Sequence, residues 1–263
     1  MLNVKFPINI GQRYFPIHFE YILRVLFYGG AEVHPERFAD FNTTKFLCKI
    51  NDRDVVFDFS DAGDYLDGDD RLTFKFHYTE QHKSVPNLRP FSPVSFYDWE
   101  WVLDFIQKEV YTGRESVILS NQKPYGNALE RRTKVQAMLK QSLGDQVDIK
   151  IYDQKEYWNK CLNSRVSVLA PGNSNFMVDR AHMQLFGLGC PVITTKLPEY
   201  FPFWKQLEEG KHYIKCADDY SDLLSIIRNV KKEELIEIGK NAQEFFFETS
   251  TPTKLVEWIE QCL

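Results

Sequence analysis

Apolar positions follow two different periods along this chain, and the second half of the chain is the more regular. Short apolar runs there alternate with longer segments whose apolar positions recur every three or four residues. The short runs predict strands at 116–120, 147–152, 166–170, 191–195 and 213–216, and the longer segments predict helices at 128–143, 154–162, 177–188, 220–230 and 232–247. Strands and helices that alternate in this way predict a doubly wound parallel α/β domain. We place this domain at about residues 113–250.

The first half of the chain predicts a smaller α/β domain at residues 1–112. Its patterns indicate strands at 3–8, 45–50, 54–59 and 72–78 and helices at 17–28 and 98–110. A last helix within 251–263 is available to pack back on this first domain. The predicted fold class is therefore α/β, with two facing Rossmann-like domains.

Composition and charge exclude several classes of protein. Hydrophobic residues make up 43% of the 263 residues and charged residues 26%, which is typical of a globular protein. The net charge of −5 argues against a nucleic-acid partner. Five cysteines without a CxxC pair indicate reduced thiols and neither a disulfide scaffold nor a zinc site. The pattern contains no signal peptide and no apolar run of about 18 residues, so we expect a cytoplasmic protein without an integral membrane segment.

Ligands of parallel sheets bind at the carboxyl ends of the strands. Three predicted loops lie there, at 121–127, 171–176 and 195–202. In the second loop, Pro171 and Gly172 precede a helix whose first N–H groups have no partner within the helix. Such an end favours a diphosphate, and Arg180 adds a cation near it.

The motifs of the second half resemble those of a known family. The Pro-Gly loop, Arg180 and Gly189-Cys-Pro-Val-Ile193 are similar to the donor half of GT-B glycosyltransferases of the exostosin and protein O-glucosyltransferase (CAP10-like) type. The family usually has a ribose-binding Glu where this chain has Gln184. The run from Ile118 to Gly126 with the following arginine pair, and Glu209-Gly-Lys-His-Tyr-Ile214, also resemble the family. The resemblance covers about residues 115–250.

The resemblance implies a compact GT-B glycosyltransferase that is inverting and metal-independent and needs no cofactor. The donor would be a nucleotide diphosphate sugar, with UDP favoured over GDP, and the acceptor a hydroxyl of a glycan. The donor-binding candidates are Gln122, Lys123, Arg132, Gly172, Asn173, Asn175, Asp179, Arg180 and Gln184.

An inverting transfer needs a base that takes the proton of the acceptor hydroxyl. The predicted strand at 54–59 runs into carboxylates, so Asp61 is the first candidate and Asp58 the second. His77 is a rival because the ordinary pKa of histidine is close to neutrality. Aromatic rings pack on the apolar faces of sugars, and the chain is 15% aromatic. The acceptor-binding candidates are Arg13, Tyr14, Lys75 and Tyr97.

Two other functions remain open. A non-catalytic α/β protein with two lobes could close on a sugar or on a phosphorylated metabolite. A glycosyltransferase that modifies nucleic acid is disfavoured by the acidic composition. Residues 67–70 superficially match the DxD metal site of GT-A transferases, but no apolar strand precedes them.

Overall fold

A computed structural model describes residues 1–7, 16–37, 45–60, 70–92, 99–113, 116–172, 178–197 and 200–263. The predicted α/β class is confirmed within these ranges, which contain a mixed six-stranded sheet, a parallel five-stranded sheet and eight α-helices. The chain divides into two compact units. Unit 1 comprises residues 1–102, 199–206 and 247–263, and unit 2 comprises residues 103–198 and 207–246. None of the helices in the described ranges is both long enough and apolar enough to cross a membrane.

Unit 1 contains a mixed sheet in which only one strand opposes the others. The strands are β1 (Asn3–Pro7), β2 (Glu32–Glu36), β3 (Lys45–Ile50), β4 (Arg53–Asp58), β5 (Leu72–Lys75) and β6 (Leu88–Pro90). Their order in the sheet is β2-β1-β3-β4-β5-β6, and β3 pairs antiparallel with both of its neighbours. Because β4, β5 and β6 are parallel, their carboxyl ends meet at one edge.

The hairpin between β3 and β4 forms at the turn that the sequence predicts. Asn51 and Asp52 both have positive φ angles, of 49° and 63°. Two-residue hairpins favour this backbone because its twist matches that of the strands, and Asn and Asp tolerate it better than other side chains do. The hairpin brings Lys45 opposite Asp58 in the register.

Three helices accompany this sheet: α1 (Pro16–Tyr28), α2 (Trp99–Lys108), within which the chain passes from unit 1 to unit 2, and α8 (Pro252–Cys262). Helix α8 packs on α1 and is tied to the strand edge, because the indole N–H of Trp258 donates to the Pro90 carbonyl over 2.8 Å. The Tyr21 hydroxyl donates to the Ser92 carbonyl over 3.0 Å. The C-terminal helix is thus part of unit 1.

Unit 2 is built on the parallel sheet. Its strands are β7 (Ile118–Leu119), β8 (Val147–Asp148), β9 (Val166–Val168), β10 (Val192–Thr194) and β11 (Ile214–Lys215). Its helices are α3 (Leu129–Leu143), α4 (Gln154–Asn163), α5 (Arg180–Gly187), α6 (Leu223–Asn229) and α7 (Lys232–Thr249), whose residues from 247 on belong to unit 1. The three inner strands β7, β9 and β10 are buried, as expected of a parallel sheet covered by helices, whereas the edge strands β8 and β11 are partly exposed.

The strand order of unit 2 is β11-β10-β9-β7-β8. Counted from the first strand of the unit, this is the doubly wound order 2-1-3-4-5. The order reverses between β7 and β9, so the chain leaves these neighbouring strands in opposite directions. Doubly wound proteins bind their ligands at the carboxyl end of such a pair, which we call the switch point.

Helices α5 and α7 of unit 2 approach each other closely at two glycines. Gly189 ends α5 with a φ of 68°, a conformation that favours glycine. A Cβ atom on Gly239 of α7 would lie 2.1 Å from the carbonyl oxygen of Gly189. Only glycine lets α7 pass this close to the end of α5.

Candidate functional site

Side-chain hydrogen bonds join the two loops that leave the switch point. Gln122 follows β7, and its Oε1 accepts from the backbone N–H of Ala170, just after β9, over 2.6 Å. From α3, Nε2 of Gln136 donates to the carbonyls of Ser120 over 2.7 Å and of Gln122 over 2.9 Å. Gln122 therefore joins the two loops and Gln136 holds the first of them to α3, both through uncharged amide groups.

Arg132 is the centre of this arrangement. Its Nε donates to the Ala170 carbonyl over 3.1 Å, Nη1 donates to the Lys123 carbonyl over 3.0 Å, and Nη2 lies 2.8 Å from Oδ2 of Asp179. The side chain is buried, and its guanidinium carbon lies 5.6 Å from the centre of the Tyr125 ring. All three nitrogens bond within the protein, so the geometry makes Arg132 a framework residue of the site. Direct contact with a donor remains a prediction.

Asp179 precedes α5 and closes the network. Besides Arg132, its carboxylate accepts from the Gly172 N–H and, over 3.4 Å, from Nε2 of Gln122. Burial raises the pKa of Asp179, while Arg132, the Gly172 N–H and Arg131 act in the opposite direction. A Cβ atom on Gly172 would lie 2.9 Å from Oδ1 of Asp179, so a larger residue would push the carboxylate away.

His182 links the backbone of Asp179 to the sheet. Its Nδ1 accepts from the Asp179 N–H over 3.0 Å, and its Nε2 lies 3.2 Å from the Thr194 hydroxyl at the end of β10. Burial lowers the pKa of His182 to about 3. The ring is therefore neutral at pH 7, with its proton on Nε2, because a backbone N–H leaves Nδ1 only the acceptor role. His182 sets the position of the α5 start and is not a titrating group at neutral pH.

Cations surround this network at the carboxyl edge. Arg180 is the first residue of α5 and is exposed, and its side chain makes no hydrogen bond or ion pair with any residue that the structure describes. The side chain of Lys123 is exposed as well. Nη1 of Arg131 donates to the carbonyls of Pro171 and Gly172 over 2.7 and 2.9 Å. The structure thus brings Gln122, Lys123, Arg132, Gly172, Asp179 and Arg180 to one edge of unit 2.

The remaining donor candidates have different placements. Gln184 lies one turn after Arg180 in α5 and is buried. Asn173 and Asn175 lie outside the described residues, as do the first candidate base, Asp61, and the acceptor candidates Arg13, Tyr14 and Tyr97.

A buried ion pair ends two neighbouring strands of unit 1. Oδ1 of Asp58 accepts from the N–H of Ser60 over 2.8 Å and from its hydroxyl over 2.5 Å. Oδ2 of Asp58 lies 3.2 Å from Nζ of Lys45 and 3.5 Å from Nζ of Lys75. Lys75 also donates to the Ser60 hydroxyl over 3.0 Å, and both Asp58 and Lys75 are completely buried. In this geometry Asp58 and Lys75 form an ion pair and each hydrogen-bonds to Ser60, and their roles as base and acceptor ligand remain predictions.

A second histidine near this pair was not among the candidates. The N–H of Thr79 donates to Nδ1 of His82 over 2.9 Å, and Nε2 of His82 is buried without a hydrogen-bond partner in the described part of the chain. Burial, with help from the charge of Lys75, lowers the pKa of His82 to about 4. The spacing Thr-Glu-Gln-His is a capping-box pattern that could have indicated this residue. His77, the predicted rival base, is half-buried.

The thiols do not form a nucleophilic site. Four of the five cysteines are buried, and burial raises the pKa of Cys161 and of Cys216 to about 12. A thiol with such a pKa is protonated at pH 7 and is a poor nucleophile. Across the described ranges, no group of three or more His, Cys, Asp or Glu side chains is arranged to hold a metal ion.

Neither a scan against protein-family models nor a search of curated proteins found a match for this chain. The resemblance to GT-B glycosyltransferases therefore depends on the motifs in the sequence. The hydrogen bonds and charges at the switch point are an observation that does not depend on that resemblance.

Proposed function

We propose that the protein is a glycosyltransferase that moves a sugar from a nucleotide diphosphate sugar to a hydroxyl of a glycan. UDP is the favoured nucleotide and GDP the alternative. One observation carries the proposal: Arg180 stands exposed at the start of α5, beside a rigid network at the switch point of a parallel sheet. Doubly wound sheets bind nucleotides at this place, and the start of a helix favours phosphate.

The charges at the switch point support an anionic ligand. Arg131 and Arg132 flank the single carboxylate of Asp179, so the network itself has a net positive charge. Arg180 and Lys123 add two exposed cations. Since Arg132 is fixed by three bonds, we expect Arg180 and Lys123 to contact the diphosphate directly and Arg132 to hold the loops that surround it. Gln184 is proposed to bind the ribose.

The proposed reaction is an inverting displacement that needs no metal and no cofactor. A base takes the proton of the acceptor hydroxyl, the acceptor oxygen bonds to the anomeric carbon, and the bond from that carbon to the diphosphate breaks. The departing diphosphate gains charge, which Arg180 and Lys123 stabilise. Asp61 is the proposed base, with Asp58 and His77 as alternatives. A facing arrangement of units 1 and 2, as in a compact GT-B enzyme, is part of the proposal.

A thermal-shift screen tests the proposal at the level of binding. UDP, GDP, CMP and dTDP sugars would be added one at a time in the presence of a metal chelator. A ligand at about 100 times its Kd stabilises a protein by about 2.7 kcal/mol, which is easily measured as a higher Tm. We expect stabilisation by at least one UDP or GDP sugar. If no nucleotide sugar raises the Tm, the proposal is wrong.

Two variants separate binding from turnover. Arg180→Ala should weaken donor binding and abolish release of the nucleoside diphosphate. Asp61→Asn should abolish release but leave donor binding unchanged, and a loss of binding in this variant would instead make Asp61 a structural residue. A protein that binds sugars or phosphorylated metabolites but transfers none to a panel of acceptors would be the non-catalytic alternative.

A further inference from the structure

Five aromatic residues of unit 1 form one cluster: Tyr78, Tyr200, Phe203, Trp204 and Trp258. The ring of Trp204 lies 5.9 Å from those of Tyr78 and Trp258 and 6.5 Å from that of Tyr200, at interplanar angles between 75° and 88°. Phe203 packs on Trp258 at 5.3 Å. Edge-to-face pairs of this kind are favourable and fix the rings relative to each other.

The backbone that carries Trp204 is in an unfavourable conformation. Phe203 and Trp204 have φ angles of 60° and 56°, in the left-handed region that large side chains rarely adopt. The turn is closed by the Phe201 N–H, which donates to the Lys205 carbonyl over 2.9 Å. Strained backbone of this kind is concentrated at functional sites.

Trp204 is the exposed member of this aromatic cluster. Its exposure is 43%, whereas Tyr78, Tyr200 and Trp258 are at most 8% exposed. The cluster therefore presents one indole to solvent on a base of buried rings. The area of this one indole is too small to form a stable protein–protein interface, which buries about 800 Å² of each partner.

Two ion pairs stand beside the indole. The Lys83 ammonium donates to the Tyr200 hydroxyl over 3.0 Å and lies 3.6 Å from Glu80. Lys205, the residue after Trp204, lies 2.9 Å from Glu248. Each pair is neutral overall, so these four side chains offer hydrogen-bonding groups without adding a net charge.

We propose that Trp204 is a stacking platform for one sugar ring of a neutral glycan, and that this glycan is the acceptor. The second part rests on the proposed glycosyltransferase function. The C–H face of a sugar is weakly positive and is attracted to the negative face of an aromatic ring. The polar ends of Lys83, Glu80, Lys205 and Glu248 provide donors and acceptors for sugar hydroxyls. Two charge-balanced ion pairs favour a neutral sugar over an anionic nucleotide.

The test uses a variant that keeps the backbone of the turn. Asn tolerates the left-handed region, so Trp204→Asn removes the ring without adding strain. The wild-type protein, without nucleotide, is first applied to an array of neutral oligosaccharides, and the best-bound member is titrated by calorimetry. Trp204→Asn should bind that oligosaccharide about tenfold more weakly, while Trp204→Phe should retain most of the affinity. Phe27→Ala, which removes another exposed ring of unit 1, should bind as the wild type does.

A second measurement needs no variant. Hydroxyl-radical footprinting of the wild-type protein should show that the oligosaccharide protects the peptide that contains Trp204. Unchanged affinity of Trp204→Asn, unchanged footprinting, or no binding to any member of the array would each overturn the proposal. If an oligosaccharide binds in a manner that depends on Trp204 but receives no sugar, the platform is supported and the glycosyltransferase activity is refuted. Transfer with an acceptor KM that is the same in Trp204→Asn would refute the platform alone.

Discussion

Nη2 of Arg132 lies 2.8 Å from Oδ2 of Asp179, and this ion pair joins helix α3 to the start of α5 across the switch point. The pair is largely buried, with side-chain exposures of 7% and 18%. It sits among the carbonyls and N–H groups of the two loops that leave β7 and β9. The proposed donor site is therefore built around a fixed internal salt bridge, with the exposed cations at its rim.

Removing the carboxylate from this pair should destabilise unit 2. Asp179→Ala leaves the buried guanidinium of Arg132 without its anionic partner, and we expect a loss of about 2–4 kcal/mol in the free energy of unfolding. Urea denaturation measures the change. Asp145→Ala, at an exposed turn after α3, is the control and should have no measurable effect. A value for Asp179→Ala equal to that of the control would show that the ion pair does not hold the site together.

The buried pair of unit 1 can be tested by a double-mutant cycle. Lys75→Met removes a completely buried ammonium and leaves Lys45 as the one cation paired with Asp58 among the described residues, so it should cost about 3 kcal/mol. Asp58→Asn and Lys75→Met together should cost clearly less than the sum of the single changes, because the double variant contains no buried charge. Lys49→Met removes a surface pair with Asp54 and should have a much smaller effect. Additive changes would contradict a coupled pair.

For Gly239→Ala, helix propensity and packing are expected to change the stability in opposite directions. Replacing a glycine inside a helix by alanine ordinarily stabilises the helix by about 1 kcal/mol. At Gly239 the new Cβ would lie 2.1 Å from a backbone oxygen, so Gly239→Ala should instead destabilise by about 2 kcal/mol or more. Thermal unfolding measures the sign, and Glu237→Ala on the exposed face of α7 is the control. An increase in Tm would refute the close approach of α7 to Gly189.

The buried histidines predict the response of stability to acid. An unfolded histidine has a pKa of about 6.5, whereas His182 in the folded protein has a pKa of about 3. Between these values only the unfolded state binds the proton, so the stability is complete above pH 6.5 and falls as the pH is lowered. The slope is about 1.4 kcal/mol per pH unit for each such group.

Urea denaturation at several pH values between 7 and 4 measures this slope. His182→Gln should lose stability less steeply with acid than the wild type does, because the variant lacks the buried imidazole that takes up a proton only on unfolding. Equal slopes in the two proteins would mean that His182 is not neutral in the folded state.

The predictable part of the fold is the part with a clear hydrophobic period. In unit 2, each predicted strand and helix has its counterpart in the structure, although the strand predicted at 147–152 ends at Asp148. Two strands of unit 1 were missed. Strand β2 reads Glu-Val-His-Pro-Glu and β6 reads Leu-Arg-Pro, so neither has an apolar alternation, and both form because a neighbouring strand provides a parallel partner. Such pairing is a long-range interaction that local patterns do not contain.

The candidate site, like the fold, was only partly predictable from the sequence. The rule for parallel sheets placed the loop of Gln122 at the carboxyl edge, and the family resemblance added Arg132 and Asp179 as donor-binding candidates. The structure places Asp179 within hydrogen-bond distance of both Gln122 and Arg132. The bonds that Arg132 makes to backbone carbonyls depend on how the loops fold, so the sequence could not distinguish a framework arginine from a ligand-binding one. Lys75 was expected to contact the acceptor, but its burial beside Asp58 depends on the register between β4 and β5.

Calorimetric titration of UDP and GDP into the wild type, Arg180→Ala and Arg228→Ala tests the central claim most directly. The titrations are made with a metal chelator, and Arg228, an exposed arginine near the end of α6, is the control. We predict that at least one nucleotide binds the wild type, that Arg180→Ala raises its Kd about tenfold or more, and that Arg228→Ala leaves the Kd unchanged. No binding of either nucleotide to the wild type, or the same Kd in Arg180→Ala, would contradict a nucleotide-sugar site at the switch point.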